Sequence, residues 1–441
     1  MSASFDSNVD ITVEVAFDSD PFSSSQSFTD ISQYVRFFDI SRGRAHELGD
    51  FRAGNLSFSV SNQDNRFNPS QTTHFYDSTN NRTKITPLKQ VRVSATYDSS
   101  SYVLFRGFLD TVPVQFIAEG ADSIVTFTAI DAFRLFQNQS LQSVGWRIGR
   151  SGFSELGQTT RLGYVDSQEL SSSRVSRILD SIGFPSALRT INTGTKQVIS
   201  QATTTNVLTA LKECETAENG QFFISKDGKA TFRNRAYKFT NSSATTSQAT
   251  FDNSGSNLPY TNVVLSFDDD EVINSYSWTR SGGTTQFIAD SDSVQRFTAL
   301  GSSETTINTS DSDVLSIIQQ KLSETAIPII RIDKLDINPR MNTSIWVQAL
   351  GRELGDRITV NIVNTDGSTL SDELFIESIS HSVNASSQTW NWSLTLSPAS
   401  SASWVLGQAL LGVGTRFAYS WCYDKRDIKE INNGGSWLEI I

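Results

Sequence analysis

The sequence predicts a mainly β protein with α+β modules, and three observations predict it. Apolar and polar residues alternate with a period of two through much of residues 1–140 and again towards residue 398. That period places one set of side chains on each face of a half-buried antiparallel strand. Between these stretches the apolar spacing becomes helical, behind Ser and Thr cap candidates. Asn, Asp, Ser and Gly turns separate the strands, as in a β-barrel or sandwich.

In the first region Val9, Ile11, Val13, Val15 and Phe17 alternate with Asp10, Thr12, Glu14 and Ala16. Leu56, Phe58 and Val60 form a second strand, Val91, Val93, Ala95 and Tyr97 a third, and Val125, Phe127 and Ala129 a fourth. After about residue 140 the text changes. Ser171, Ser172 and Ser173 precede a helix carrying Val175, Ile178, Leu179 and Ile182, which Gly183 and Pro185 stop. A second helix, about Thr205–Ala217, aligns Val207, Leu208, Leu211 and Cys214 and ends at Gly220. Phe222–Ile224 and Ala230–Phe232 then make a hairpin around Asp227-Gly228. Strands resume at Asn262–Phe267 and Val272–Trp278. A third helix, about Ser312–Thr325, presents Val314, Leu315, Ile318 and Leu322 before Pro328. Ile358, Val360 and Ile362 follow, then Phe375–Ile379. The last strand alternates Trp390, Trp392, Leu394 and Leu396 with Asn391, Ser393 and Thr395, and Pro398 closes it. A tail with a short apolar stretch, Trp404–Val413, ends the sequence.

The 441 residues allow roughly two to four domains. Two cysteines, Cys214 and Cys422, cannot build a disulfide framework or a zinc ribbon, which fits a reducing cytoplasm. Cys214 is read as a small core residue. The N-terminus lacks the basic and apolar regions of a signal peptide, and no run approaches the roughly 18 apolar residues of a membrane-spanning helix. No stable membrane insertion is expected. The net charge of −11 argues against a nucleic-acid coat. Residues 141–240 carry 8 acids and 13 bases, whereas 1–140 carry 16 and 11, and 241–441 carry 23 and 12. A basic middle between acidic flanks suggests a separate module.

Recognisable catalytic patterns are missing. His46, His74 and His381 lie far apart in sequence and are read as turn or surface residues. Nucleophile-elbow, zinc-protease and phosphate-loop patterns are absent. A glycosidase pair needs only two carboxylates at a set separation, and nothing marks one. Asp268-Asp269-Asp270-Glu271 offers hard oxygens for Ca²⁺. The run lacks the spacing and central Gly of a calcium loop, so an acidic hairpin tip is the preferred reading. The bases between Lys226 and Lys238 are read as the solvent face of a hairpin in preference to a nucleic-acid patch. No catalytic residue, cofactor or metal site is assigned.

Three blocks between Tyr34 and Phe136 carry a family resemblance. The first is Tyr34-Val35, then Ser41-Arg42-Gly43-Arg44-Ala45-His46-Glu47-Leu48-Gly49-Asp50-Phe51-Arg52-Ala53-Gly54. The second is Ser61-Asn62-Gln63-Asp64-Asn65-Arg66-Phe67-Asn68-Pro69. The third joins Pro87-Leu88-Lys89-Gln90-Val91-Arg92-Val93 to Leu104-Phe105-Arg106-Gly107-Phe108-Leu109-Asp110. This stretch resembles the tail hub proteins of long-tailed bacteriophages, also called minor tail or baseplate hub proteins. Looser likeness continues through Leu208–Arg235, Leu354–Val360, Ile376–Leu396 and Trp404–Gly407. The motif residues Asp50, Phe51, Gly54, Asn62, Asp64, Asn65, Arg66, Phe67, Pro69, Phe105, Arg106 and Gly107 are read as structural. Asn62, Asp64 and Asn65 can cap a turn. Arg66 can meet a carboxylate, Phe67 can anchor the loop, and Gly107 permits close strand approach.

The resemblance implies two tail-tube-like antiparallel β-barrels plus smaller α/β domains. Residues 1–140 would form the first barrel, 141–255 an α+β module, and 256–300 with 340–398 the second barrel. Residues 301–339 would be a helical insertion and 399–441 a C-terminal tail. It further implies a homotrimer at the virion tail tip, assembled in the host cytoplasm, whose six barrels face the hexameric tube or distal tail ring above. Tape measure protein would lie in the lumen and tip or central fibre proteins below. DNA would pass only transiently, along a wall whose negative charge repels phosphates. Some relatives carry peptidoglycan-cleaving domains, for which the residues after the second barrel are too few. The alternatives are a hexameric distal tail protein, a receptor-binding adhesin using Trp404–Leu411, and a cell-wall or glycan hydrolase.

Overall fold

A computed structural model describes residues 4–6, 9–23, 25–116, 122–141, 168–200, 206–267, 269 and 271–399. Its N-terminal half contains β1 (Ser4–Asp6), β2 (Val9–Val15), β3 (Thr29–Asp30), β4 (Val35–Gly43) and β5 (Arg52–Ser61). A small hairpin of β6 (Tyr76–Asp77) and β7 (Arg82–Thr83) precedes β8 (Gln90–Tyr97), β9 (Ser100–Thr111), β10 (Val114–Phe116) and β11 (Ser123–Ile130). The main strands pair antiparallel in the order β2-β8-β9-β11-β5-β4. β3 lies on the other edge of β2 and turns directly into β4, so one bent segment reaches both ends of the row. Ser32 makes the bend. Its hydroxyl oxygen accepts from the Val13 N–H at 2.9 Å, and its own N–H donates to Asp30 Oδ1 at 2.8 Å. Alternate residues fill the inside, including Val9, Ile11, Val13 and Val15 of β2 and Leu56, Phe58 and Val60 of β5. Each such side chain contributes about 1.5–3 kcal/mol on burial.

The middle module contains α1 (Phe133–Asn138), β12 (Glu169–Leu170), α2 (Ser171–Ser181), β13 (Arg189–Ile191), β14 (Gln197–Val198) and α3 (Val207–Glu218). The hairpin β15 (Gln221–Ile224) and β16 (Ala230–Arg233) and the short helices α4 (Tyr237–Thr240) and α5 (Ser242–Thr245) complete it. Asn206 caps α3 by accepting from the Thr209 N–H. Cys214 is fully buried on the inner face of α3, and burial pushes its thiol up to about 12.

The C-terminal half begins with β17 (Thr250–Asp252), β18 (Leu258–Pro259) and β19 (Asn262–Ser266). A separate sheet, β21-β20-β22, follows, built from β20 (Ser275–Arg280), β21 (Thr285–Ala289) and β22 (Gly301–Thr306) with α6 (Ser291–Phe297) between. It packs Tyr276 and Trp278 against Val314, Ile317, Ile318 and Leu322 of α7 (Asp311–Thr325). Then come β23 (Arg331–Ile337), α8 (Ser344–Gly351), β24 (Arg357–Val363), β25 (Thr369–Asn384) and β26 (Thr389–Pro398).

Here the pairing order is β17-β24-β25-β26-β23-β19, with β18 on the other edge of β17 and leading straight into β19. Strand for strand this repeats the first half. β17 stands for β2, β18 for β3, β19 for β4, β23 for β5, β24 for β8, β25 for β9 and β26 for β11. The one reversal is β17, which runs parallel to β24 and β18 where β2 runs antiparallel to β8 and β3.

The mainly β fold with α+β modules is what the sequence predicts, but no barrel closes among the described residues. The reason is β25. Its Thr369–Phe375 part pairs with β24, and Ser378–Asn384 continues along the same edge to pair with β4. The outer edge of β4 is thereby given to the other half, and sixteen strands merge into one sheet. Among the described residues no helix is long and apolar enough to cross a membrane.

Candidate assembly interface

The place where the two half-sheets join holds a set of buried ion pairs. Arg44 Nε donates to Glu377 Oε2 at 2.6 Å, and Ser397 Oγ donates to the other Glu377 oxygen at 2.6 Å. Burial pulls the Glu377 carboxyl up, but the charge and hydrogen bond of Arg44 outweigh it and hold the group below its usual range. One residue pair away, Arg42 Nη1 donates to Glu353 Oε1 at 2.9 Å. Glu353 Oε2 accepts from the Lys226 N–H at 2.9 Å. Lys226 Nζ reaches the carbonyls of Leu350 at 2.9 Å and Gly351 at 2.7 Å, where its charge meets the negative end of α8. Each pair depends on its partner, because one buried charge left alone is strongly destabilising.

Beside these pairs lies the seam where β4 departs from β2. Trp346 and Leu350 of α8 and Val383 and Trp390 of the β25–β26 hairpin enter the core of the N-terminal half. Trp390 meets Trp346 edge to face at 5.0 Å and Phe38 at 6.3 Å. The packing leaves a cavity of only about 10 Å³ between Ile11, Val13, Val35, Phe38 and Val383. His381 is buried here and accepts from Trp390 Nε1 at 3.2 Å through Nδ1. Burial, helped by the charges of Arg42 and Lys226, lowers its pKa to about 3. This corrects the surface reading of His381. Ile379, His381 and Val383 share the inward face of β25, so the period of two carried the signal. His46 and His74 are exposed.

The motif residues sit at three places around the N-terminal half. Phe51 is buried against Phe223 of the middle module at 5.2 Å, under the Arg44 guanidinium at 4.7 Å, while Asp50 is exposed. Gly54 donates its N–H to Asp131 Oδ2 at 2.6 Å, and a Cβ there would lie 2.8 Å from that oxygen. Burial raises the Asp131 carboxyl to about 7 against the pull of the Gly54 and Phe133 N–H groups. Just after β5 the buried Asn62 accepts from the Phe67 N–H at 2.8 Å. Asp64 accepts from the Arg66 N–H at 3.2 Å and pairs with its guanidinium, which stacks over Tyr34 at 4.3 Å. Asn65 turns the chain with φ 61°, and Pro69 is half-buried. Phe67 is fully buried among Tyr34, Phe75 and Phe127. On β9, Phe105 is buried and Arg106 donates to Gln90 Oε1 at 2.7 Å, against the Asp227-Gly228 turn of the middle module. A Cβ on Gly107 would stand 2.7 Å from the Ile130 carbonyl oxygen.

Apart from Lys229, which pairs with Asp227 at the hairpin tip, the bases between Lys226 and Lys238 are not a solvent face. Besides Lys226, Arg233 Nη1 donates to the Leu354 carbonyl at 2.6 Å, and Arg235 Nη2 donates to Gln320 Oε1 at 2.7 Å. Lys238 pairs with Glu47 at 3.2 Å. Lys226, Arg233 and Arg235 fasten the middle module to the C-terminal half and Lys238 fastens it to the β4–β5 loop, and long-range partners of this kind leave no mark in local sequence. Asp268 and Asp270 fall outside the described residues, as do Cys422 and the Trp404–Leu411 stretch. Glu271 lies 3.4 Å from Arg331 and 4.0 Å from His46. Among the described residues no group of three or more His, Cys, Asp or Glu is placed to hold a metal ion. Sequence reasoning named Arg44 only within a longer block and Trp390 only as a strand residue, and it did not name Glu377 or Glu353.

Comparison with solved structures gives the fold its place. A tail protein from Neisseria meningitidis MC58 superposes with a TM-score of 0.55 at 10% identity, covering 88% of this chain and 96% of that one. The 43 kDa tail protein of prophage MuSo2 from Shewanella oneidensis gives 0.51 at 10% identity, covering 89% and 99%. The chain has the fold of phage tail proteins. No family model matches the chain, and no curated protein matches it in sequence.

Proposed function

We propose that the chain is the hub at the tip of a phage tail, a homotrimer that joins the tail tube or distal tail ring to the tip fibre. The observation that carries this reading is the repeated pairing order. One chain holds two equivalent half-sheets, so three chains supply six, the number a hexameric ring above requires. The likeness to solved tail proteins supports a structural role in the virion over a catalytic one. The distal tail protein and tube lie above, the tape measure protein in the lumen and the tip fibre below. The hub closes the channel until DNA passes, and it assembles in the host cytoplasm before joining the particle.

Counting copies in purified virions by quantitative mass spectrometry tests the assignment. Three per tail are expected. Six would make the chain the distal ring instead, and its absence from the particle would end the tail reading.

A further inference from the structure

We infer that the free edge of β19 pairs with the Thr111–Phe116 segment of a second copy of this chain, repeating between chains the contact that β4 makes with β25 within one. The inference rests on the trimeric reading above and says which surfaces build the trimer.

Both surfaces follow from the repeated pairing order. β19 occupies the place of β4. It pairs with β23 as β4 pairs with β5, and it emerges from the same kind of bent segment. The outer edge of β4 is taken by Ser378–Asn384 of β25. The outer edge of β19 has no backbone partner among the described residues. Val264 and Leu265 are 42% and 43% exposed, and Phe267 is 66% exposed. Ile330, 62% exposed, adjoins Phe267 because Ser266 pairs with Arg331. An apolar strand edge in open solvent templates pairing, and stable proteins cover it.

The receiving segment is found in the same way. β25 pairs with β24, runs on past it to receive β4, and turns back as β26. β9 pairs with β8 over Ser100–Phe108, runs on through Asp110 and β10, and turns back as β11. Thr111 pairs with Thr128 at a bulge as Ser378 pairs with Thr395 at a bulge, so Thr111–Phe116 is the counterpart of Ser378–Val383. β11 occupies one edge of it, and the other edge has no backbone partner among the described residues. Pro113 does not block that edge. Its carbonyl accepts from the Thr126 N–H of β11 at 3.4 Å, so its missing donor faces β11 as well. Strand addition of this kind takes its affinity from main-chain hydrogen bonds, and half-buried Val112 and Val114 offer apolar partners.

The contact is head-to-tail, so it closes a ring when its rotation matches the junction inside the chain. Aligning the two halves strand for strand sets Val264 opposite Gln115 and Val263 opposite Phe116, antiparallel. Val264 and Gln115 are both exposed, so replacing them leaves the fold intact. The test is the full chain carrying Val264→Cys and Gln115→Cys together with Cys422→Ser, which leaves only the buried Cys214 among native thiols. Mild oxidation should convert the monomer band to a covalent trimer that reductant dissolves. Mixing the two single-cysteine chains should give covalent dimers, and neither single alone should give any product. A chain of trimeric native mass that forms no crosslink overturns the inference while the trimer stands, and assigns the β19 edge to residues 400–441 or to another tail protein. A chain that stays monomeric at every concentration overturns both.

Discussion

The two half-sheets share one pairing order and differ in what covers their bent strand. In the N-terminal half β4 lies between β5 and β25, and Phe38, Ile40 and Arg42 are buried. In the C-terminal half β19 has β23 on one side only, and Val264 and Leu265 stand in solvent. Val263, which stands where Phe38 stands, is only half-buried, and Val264 puts an apolar side chain where β4 has the exposed Asp39. Burial here is set by the neighbour across the strand edge, and the intrachain junction shows what a covered edge looks like.

The strongest way to break the comparison is to empty the seam that makes the N-terminal half complete. Trp390→Ala removes a fully buried ring between Phe38 and Trp346 and should cost about 3–5 kcal/mol in urea unfolding. If the loss is under about 1 kcal/mol, the N-terminal half does not need the C-terminal hairpin to fill its core. Glu377→Gln should cost nearly as much, about 3–4 kcal/mol, because Arg44 is left buried without a full counter-charge. The double change Arg44→Met with Glu377→Leu should recover most of that loss. A double variant as unstable as the single would mean the pair stabilises the junction outright.

Much of the first half was legible in sequence, because its strands advertise themselves locally. The alternation of β2, β5, β8 and β11 marks both strand and inner face, and the Asp227-Gly228 hairpin and α7 lie where their signals stand. The repeated pairing order was reachable only through resemblance, since partners such as Arg42 and Glu353 are hundreds of positions apart. The length of β25 was hidden for another reason. Its sixteen residues alternate poorly in their first part, where Thr369–Glu373 lie towards solvent. The seam was hidden because its filling comes from α8, which carried no strand period. Local pattern reports which face is buried and is silent on what buries it.

Two buried groups, His381 in the seam and Asp131 beside Gly54, predict opposing pH responses. His381 has its pKa depressed from 6.5 to about 3, so the stability it contributes is present above 6.5 and is lost as pH falls towards 3. Asp131 has its pKa raised from 3.8 to about 7, so its contribution is present below 3.8 and is lost as pH rises through 7. Between pH 4.5 and 6.5 each effect amounts to about 2–3 kcal/mol, with opposite sign. Melting curves across that window should show His381→Gln losing stability with rising pH and Asp131→Asn gaining it. Parallel slopes for the two variants would contradict the buried, neutral state of both groups.

The smallest effect sharpens the contrast most. Phe267→Ser on the open edge should change the unfolding free energy of the monomer by less than about 0.5 kcal/mol, since the ring is 66% exposed and leaves no cavity. Phe38, on the covered strand, would cost several times more to truncate because its loss opens a void against Trp390. An aromatic residue inside the covered strand and one just past the open strand would then differ in folding energy as the covered and open edges differ. A measured cost near that of a core residue for Phe267→Ser in the isolated monomer would mean the β19 edge is already covered there, and the asymmetry between the halves would be lost.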